Sequence, residues 1–429
     1  MRHRPVTSFD TEVPALLLRL DRNPFHHGTL GAARSLGRAG IEVHSLVESP
    51  RSPVNRSRFV HRAHAWPGGA PSAGRFLETL QQVSERIGRP AVLIPMDDRS
   101  AISAARWADR LAGLYLMPQQ SSFLLRQVAD KAQLARLCEQ WDVPHPRTVV
   151  PATSQEAADA ARDLGLPVIA KWSRPWLLDG AAGLRSTSLV RTSDEARRLF
   201  DQSGRAGSRL LLQRHLPGGR GTDWFYHGCF AGRGAGCLIG GTGRKELAWP
   251  SGAGLTAVGR WLPNRQVEES AVRLATKLGY RGILDLDFRR DAGGTYHLLD
   301  FNPRPGAQFR LFTDRSGLDM VRALHLDLTG RRVATPVPVA GRLFVAENYA
   351  LLSALAAARQ GRPRAGGSSA AAETAGAGRE RTAEAAWFAS DDPAPFFAMA
   401  AGWAGRAGRK GLERLARTRR PPAPAARPI

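Results

Sequence analysis

Asp287 and Asp300 fall on two strand-like runs joined by the turn Asp291-Ala292-Gly293-Gly294, and Asn302 lies two residues beyond Asp300. Alternate residues of a strand share a face, so Asp300 and Asn302 point the same way. Magnesium takes hard oxygen ligands and shares its shell with substrate phosphates. Two carboxylates and an amide meet that demand. Pro303-Arg304-Pro305-Gly306 follows at once; it stiffens the chain and presents a guanidinium whose planar fork suits a phosphate or an acyl phosphate. Taken alone, two strand-end carboxylates and an asparagine serve turns and surface pairs equally well. On these residues alone, a metal and phosphate site from residue 287 to 304 and a set of turns and surface pairs stand as open alternatives.

The rest of the composition narrows the setting. With 429 residues the chain is long enough for two or three domains. Lys and Arg outnumber Asp and Glu 61 to 38, giving a formal net charge of +23, which would ordinarily suggest nucleic acid. Only five of those cations are lysines, at 131, 171, 245, 277 and 410, and the arginines are scattered through a chain rich in Gly, Pro and Ala. Dispersed solvated charge is the favoured reading, nucleic acid is disfavoured, and the basic tail retains at most a weak contact with anionic surfaces. A lysine in this background marks a place where arginine has not been used. Cys138, Cys229 and Cys237 form no framework and no C-x-x-C pair, so a cytoplasmic setting is expected. No signal peptide is evident, and Ala394 to Ala404, the most apolar stretch, is about half the ~20 residues a membrane span requires.

The elements that must position the site divide accordingly. Residues 1–118 alternate apolar runs (Pro14 to Leu20, Ile41 to Val47, Ala91 to Met96, Leu114 to Met117) with helical stretches, which predicts an open parallel α/β domain. Ligands of such sheets bind beyond the carboxyl ends of the strands, here at Asp21, Asn23, Asp97 and Asp98. G-x-G-x-x-G is absent. Residues 119–206 and 207–330 read as two α+β subdomains: a helix from Ser121 to Trp141, capping boxes at Thr153-x-x-Glu156 and Thr192-x-x-Glu195, and strands at 167–172, 209–214, 224–230, 236–240, 282–289 and 295–301. Residues 331–429 are expected to be an Arg/Ala/Pro-rich extension, disordered at 360–381 and 414–429. Its clusters Trp387-Phe388 and Pro395-Phe396-Phe397 are expected to dock on the body or on a partner.

At this point the order of features resembles the ATP-grasp superfamily. The spacing of Asp287, Asp300 and Asn302, closing in Asp-Phe-Asn-Pro-Arg, is similar to its magnesium motif. The similarity spans about residues 14–330 and, with the tail around Asp391-Asp392-Pro393, points to the carboxylate–amine ligase branch, D-aspartate ligase-like and similar to the carbamoyl phosphate synthase large subunit. It implies ATP with Mg2+ or Mn2+, and a reaction in which ATP activates a carboxylate as an acyl phosphate that an amine then attacks. It places Lys131, after Asp130, and Lys171, at the end of a strand, on the nucleotide phosphates. It places Gln213, Arg214 and Leu216 at the adenine hinge, Asp223 near the ribose, Arg244 and Lys245 beside the transferring phosphate, and Arg304 on developing charge. Partners would be small carboxylates and amines, with a dimer as the expected assembly. Three departures bear on the chemistry: Asp300 stands where Glu is usual, Asp285 where a basic residue is common, and the loop Leu178 to Gly183 is poorer in glycine. They keep a second reading open, a catalytically altered ATP-binding module with a regulatory or assembly role.

Overall fold

Ala15–Leu18 (β1) and Val43–Val47 (β2) are buried along their whole length, as strands covered on both faces must be. With Arg62–Ala65 (β3), Ala91–Pro95 (β4) and Tyr115–Leu116 (β5) they form a parallel sheet in the order β3-β2-β1-β4-β5. The structure is a computed structural model that describes residues 8–66, 72–178, 183–232, 236–249, 254–359 and 383–418. Leu17, Val43 and Ile94 pack toward helix His27–Arg38, whereas Leu16, Leu46 and Leu93 pack toward helix Ala73–Ile87, so successive residues serve opposite layers. Asp97 ties the ends of β1 and β4 together: its carboxylate accepts from the N–H groups of Leu20 (2.6 Å) and Asp21 (3.3 Å) and caps the next helix through Ser100 N–H (2.8 Å). Asp98 is thereby fixed at the first helical position, over the carboxyl edge of the sheet.

The helix expected from Ser121 to Trp141 is two, Ser122–Ala129 and Lys131–Gln140. Asp130 breaks it: its buried side chain accepts from Ala132 and Gln133 N–H and restarts the helix at Lys131. Beyond it, Thr148–Val149 (β6), Val168–Trp172 (β7), Thr187–Val190 (β8) and Leu210–Arg214 (β9) form an antiparallel sheet in the order β6-β9-β7-β8. β9, which lies beyond the boundary expected at residue 207, completes this sheet through its pairing with β6 and β7.

The third sheet follows the order β14-β13-β10-β11-β12-β15-β16, from Asp223–Phe230 (β10), Cys237–Trp249 (β11), Leu255–Trp261 (β12), Gly282–Arg290 (β13), Tyr296–Asn302 (β14), Leu343–Val345 (β15) and Ala383–Ala385 (β16). All its pairings are antiparallel except β15 with β16. The last two strands come from residues 331–429, so that segment is built into the fold and is more than an appended tail. Helix Ala394–Thr418 also carries order through residues 414–418; the stretches 360–382 and 419–429, where most of the disorder was expected, lie outside the described residues.

The aromatic tail docks on the body, as one of its two expected outcomes. Trp387 is buried and donates its indole N–H to Asn348 Oδ1 (3.2 Å). Beside it, Asp392 accepts from Arg34 Nε (2.9 Å), Ser57 Oγ (2.7 Å) and Arg58 N–H (2.9 Å), with the Arg34 and Asp392 side chains 4% and 1% exposed. Removing one partner of a buried ion pair leaves the other charge desolvated. Asp392→Ala is expected to cost about 3–5 kcal/mol, read as a lowered denaturant midpoint; an unchanged midpoint would show that this pair does not anchor the tail.

Candidate active site

Register decides which side chains meet. Phe225 lies opposite Asp287 and Asp287 opposite Asp300; two residues along, on the same face, His227 lies opposite Asp285 and Asp285 opposite Asn302. Gly241 and Gly243 of β11 pair with His227 and Phe225, which puts Lys245 on this face too. The opposite face, with Trp224, Tyr226, Leu286, Phe288 and Phe301, packs on helix Arg265–Lys277 through Val267 and Leu274. Period-2 alternation thus separates a charged wall from an apolar one.

Cations from four parts of the chain converge on that wall. Lys131, first residue of its helix, places Nζ 2.7 Å from Asp300 Oδ1. Lys171, on β7, reaches the same oxygen at 3.4 Å and donates to the Leu299 carbonyl (3.0 Å). Lys245 sits 2.8 Å from Asp287 Oδ1. Arg304 places Nη1 3.1 Å from Asp285 Oδ2 and Nε 3.5 Å from Asp98 Oδ1, so the first domain joins the site as its strand-end position implied. Asn302 donates from Nδ2 to the Asp285 carbonyl and side chain.

Burial alone would raise the Asp300 carboxyl, but the ammonium groups of Lys131 and Lys171 outweigh it and hold it down at about 2. Asp287 goes the other way: burial, reinforced by Asp285 and Asp300, raises it despite Lys245. Burial also lowers Lys171, against the pull of Asp300, whereas at Lys131 the carboxylates of Asp300 and Asp98 override burial and raise it. Four cations thus face four carboxylates, and without nucleotide each neutralises the other.

A divalent metal fits this donor set. Asp287 Oδ1 is buried, has an ion-pair contact but no directed hydrogen bond, and belongs to a carboxyl whose charge its neighbours oppose; a cation would relieve it. Among the described residues no three Asp, Glu, His or Cys side chains form a self-sufficient metal cage. Asp287, Asp300 and Asn302 would therefore share the ion with phosphate oxygens and water, as magnesium prefers.

Other expected residues stand elsewhere. Arg244 is on the far face, pairing with Glu246 (2.8 Å) beside Arg260, so its expected role at the transferring phosphate is not supported. Arg214 is exposed at the end of β9, and Gln213 donates to Thr148 Oγ1 (3.0 Å). Asp223 is taken by a fork–fork pair with Arg289 (2.6 and 3.0 Å), whose third nitrogen donates to the Leu216 carbonyl (3.0 Å). The ribose and adenine contacts expected of Asp223 and Leu216 are thus engaged internally in this state. The loop from Leu178 to Gly183 falls, except for its ends, outside the described residues.

Two residues escaped the sequence reading. Arg289 is one. The other is His227, fully buried, with Nε2 3.0 Å from Asp285 Oδ1. Neither has a linear signal, since each acquires its partner only through strand pairing. Gly306 explains how tightly this corner is built: a Cβ there would lie 2.3 Å from His227 Cε1 and 2.7 Å from Asp285 Oδ2. Gly306→Ala is expected to displace the Asp285–Arg304 pair, costing about 1–3 kcal/mol in stability and roughly 100-fold in turnover. Wild-type rates of ADP formation in that variant would remove the pair from the site.

No family model matches the chain. It is similar to the carbamoyl phosphate synthase arginine-specific large chain of Geobacillus stearothermophilus, 24% identical over 341 residues, covering 76% of this chain and 30% of that protein. The chain thus spans under a third of that relative's length. Among solved structures it is similar to the N5-carboxyaminoimidazole synthetase of Staphylococcus aureus complexed with ADP (TM-score 0.56, 13% identity, 77% of this chain and 80% of that one). It is likewise similar to the L-amino acid ligase of Bacillus licheniformis (TM-score 0.55, 13% identity, 76% and 77%). The chain shares its fold with these solved ligases and synthetases, and in sequence it is similar to carbamoyl phosphate synthase large chains.

Proposed function

We propose that this ATP-grasp chain is a carboxylate–amine ligase: ATP phosphorylates a small carboxylate, and an amine attacks the acyl phosphate to give an amide, ADP and phosphate. The observation that carries this reading is the convergence of Lys131, Lys171, Lys245 and Arg304 on Asp300, Asp287 and Asp285. The ion pairs define a poised site. With nucleotide bound, Lys131 and Lys171 would have phosphate oxygens to bind, which would free Asp300 to join Asp287 and Asn302 in holding magnesium. The ion would neutralise charge on the phosphates. Lys245 lies beside Asp287, where it can steady the transferred group, and Arg304 can hold an oxygen of the acyl phosphate. Positioning and charge neutralisation suffice for phosphoryl transfer, so no protein nucleophile is needed.

Small-molecule substrates, a cytoplasmic setting and assembly as a dimer belong to the same proposal. No helix of the described residues is long and apolar enough to cross a membrane. The test is ADP release from MgATP against a panel of carboxylic acids crossed with a panel of amines. The reading requires release that depends on both partners; nucleotide binding with no stimulated ADP for any pair would leave the altered binding module in its place.

A further inference from the structure

An ammonium nitrogen loses two protons on becoming an amide, and the residues assigned above leave no acceptor for the first. Lys131, Lys171, Lys245 and Arg304 are cations, Asp287 and Asp300 face the metal, and Asp285 is held by His227, Asn302 and Arg304. The first domain supplies the remaining candidates. Asp97 spends its oxygens on the N–H groups of Leu20, Asp21 and Ser100. Asp21 and Asn23 accept from N–H groups within their own turn.

Asp98 does neither. Its side chain is 14% exposed, its Oδ1 atom is buried without a hydrogen bond, and its polar contact is Arg304 Nε at 3.5 Å. It stands across the guanidinium from Asp285, and the charges of Lys131 and Asp300 both act on it. That puts it beside the group that would hold the acyl phosphate.

We propose that Asp98 is the proton acceptor for the attacking amine, and that the nucleophile is accordingly taken up as an ammonium ion. This rests on the ligase reading. The first proton passes from nitrogen to the Asp98 carboxylate and frees the lone pair. Nitrogen then bonds to the acyl carbon, and the carbon–oxygen bond to phosphate breaks with its electron pair leaving on inorganic phosphate, which takes the second proton. Burial raises the Asp98 carboxyl, with Asp97 and Asp300 adding to the rise and Arg304 and Lys131 opposing it, and a carboxylate so raised is a stronger base. The Asp98 charge also acts on Tyr280, whose hydroxyl donates to the Ile283 carbonyl.

The experiment uses the full chain, MgATP and the carboxylic-acid panel with two kinds of nucleophile. Hydroxylamine is largely neutral at neutral pH and needs no acceptor for a first proton; amino acids and short alkylamines are ammonium ions. Asp98→Asn is expected to lower ADP formation with the ammonium nucleophiles by at least about 100-fold, and with hydroxylamine by less than about tenfold. Asp98→Glu, which keeps a carboxylate, is expected to recover part of the ammonium activity. Equal losses with both nucleophiles would make Asp98 only a structural partner of Arg304 and overturn the proposal. If instead the wild-type chain forms no hydroxamate from any acid, the ligase reading fails and takes this inference with it.

Discussion

Asp300→Asn is expected to reduce magnesium-dependent ADP formation by about 1,000-fold or more, the scale on which removing preorganised charge from a reacting centre acts. Three losses coincide in this one substitution. The metal loses a carboxylate, and an amide is a weaker ligand for a hard cation. Lys131 and Lys171 lose the counter-charge they share at 2.7 and 3.4 Å. Lys171, already lowered by burial, is then pushed further toward its neutral form and offers the phosphates less charge. Because the replacement is isosteric, the backbone pairing of Asp287 with Asp300 should persist, and circular dichroism separates lost chemistry from lost fold. A variant that keeps wild-type magnesium-dependent turnover would remove Asp300 from the metal site.

Arg304→Lys should lower turnover by about 100-fold while nucleotide affinity stays within a few-fold of wild type. The guanidinium reaches Asp98 through Nε, and Asp285 and the Pro305 carbonyl through Nη1. An ammonium group keeps the charge but loses the fork, so it cannot hold those partners and an acyl-phosphate oxygen together. Titration with a non-hydrolysable ATP analogue checks the affinity and steady-state ADP release checks the turnover. Equal losses in both would mean that Arg304 holds nucleotide and not the transferred acyl group.

Much of this was legible in the chain. The parallel sheet followed from apolar runs bounded by polar ends, and the Asp287-to-Arg304 segment from its spacing. Lys131 and Lys171 stood out because lysine is scarce. What the chain alone did not reveal shares a cause. Asp223 and Leu216 look available in sequence, but Arg289 claims both only after β10 pairs with β13. Arg244 and Lys245 look equivalent, yet one step along a strand sends them to opposite faces. β9 reads equally well as the start of the next subdomain until its partners β6 and β7 are known. Residues 331–429 read as an extension because β15 and β16 are three residues each and separated by 37 residues, of which 360–381 hold no large apolar side chain. His227 carries no local signal at all; its role rests on the cross-strand distance to Asp285.

The central claim is that ATP activates a carboxylate on this charged wall before nitrogen attacks. It is tested most directly with the carboxylate substrate labelled with oxygen-18 in both carboxyl oxygens. An acyl-phosphate route transfers one labelled oxygen to inorganic phosphate in each turnover, and mass spectrometry of the phosphate should find it there. Turnover that releases ADP and unlabelled phosphate would contradict the account.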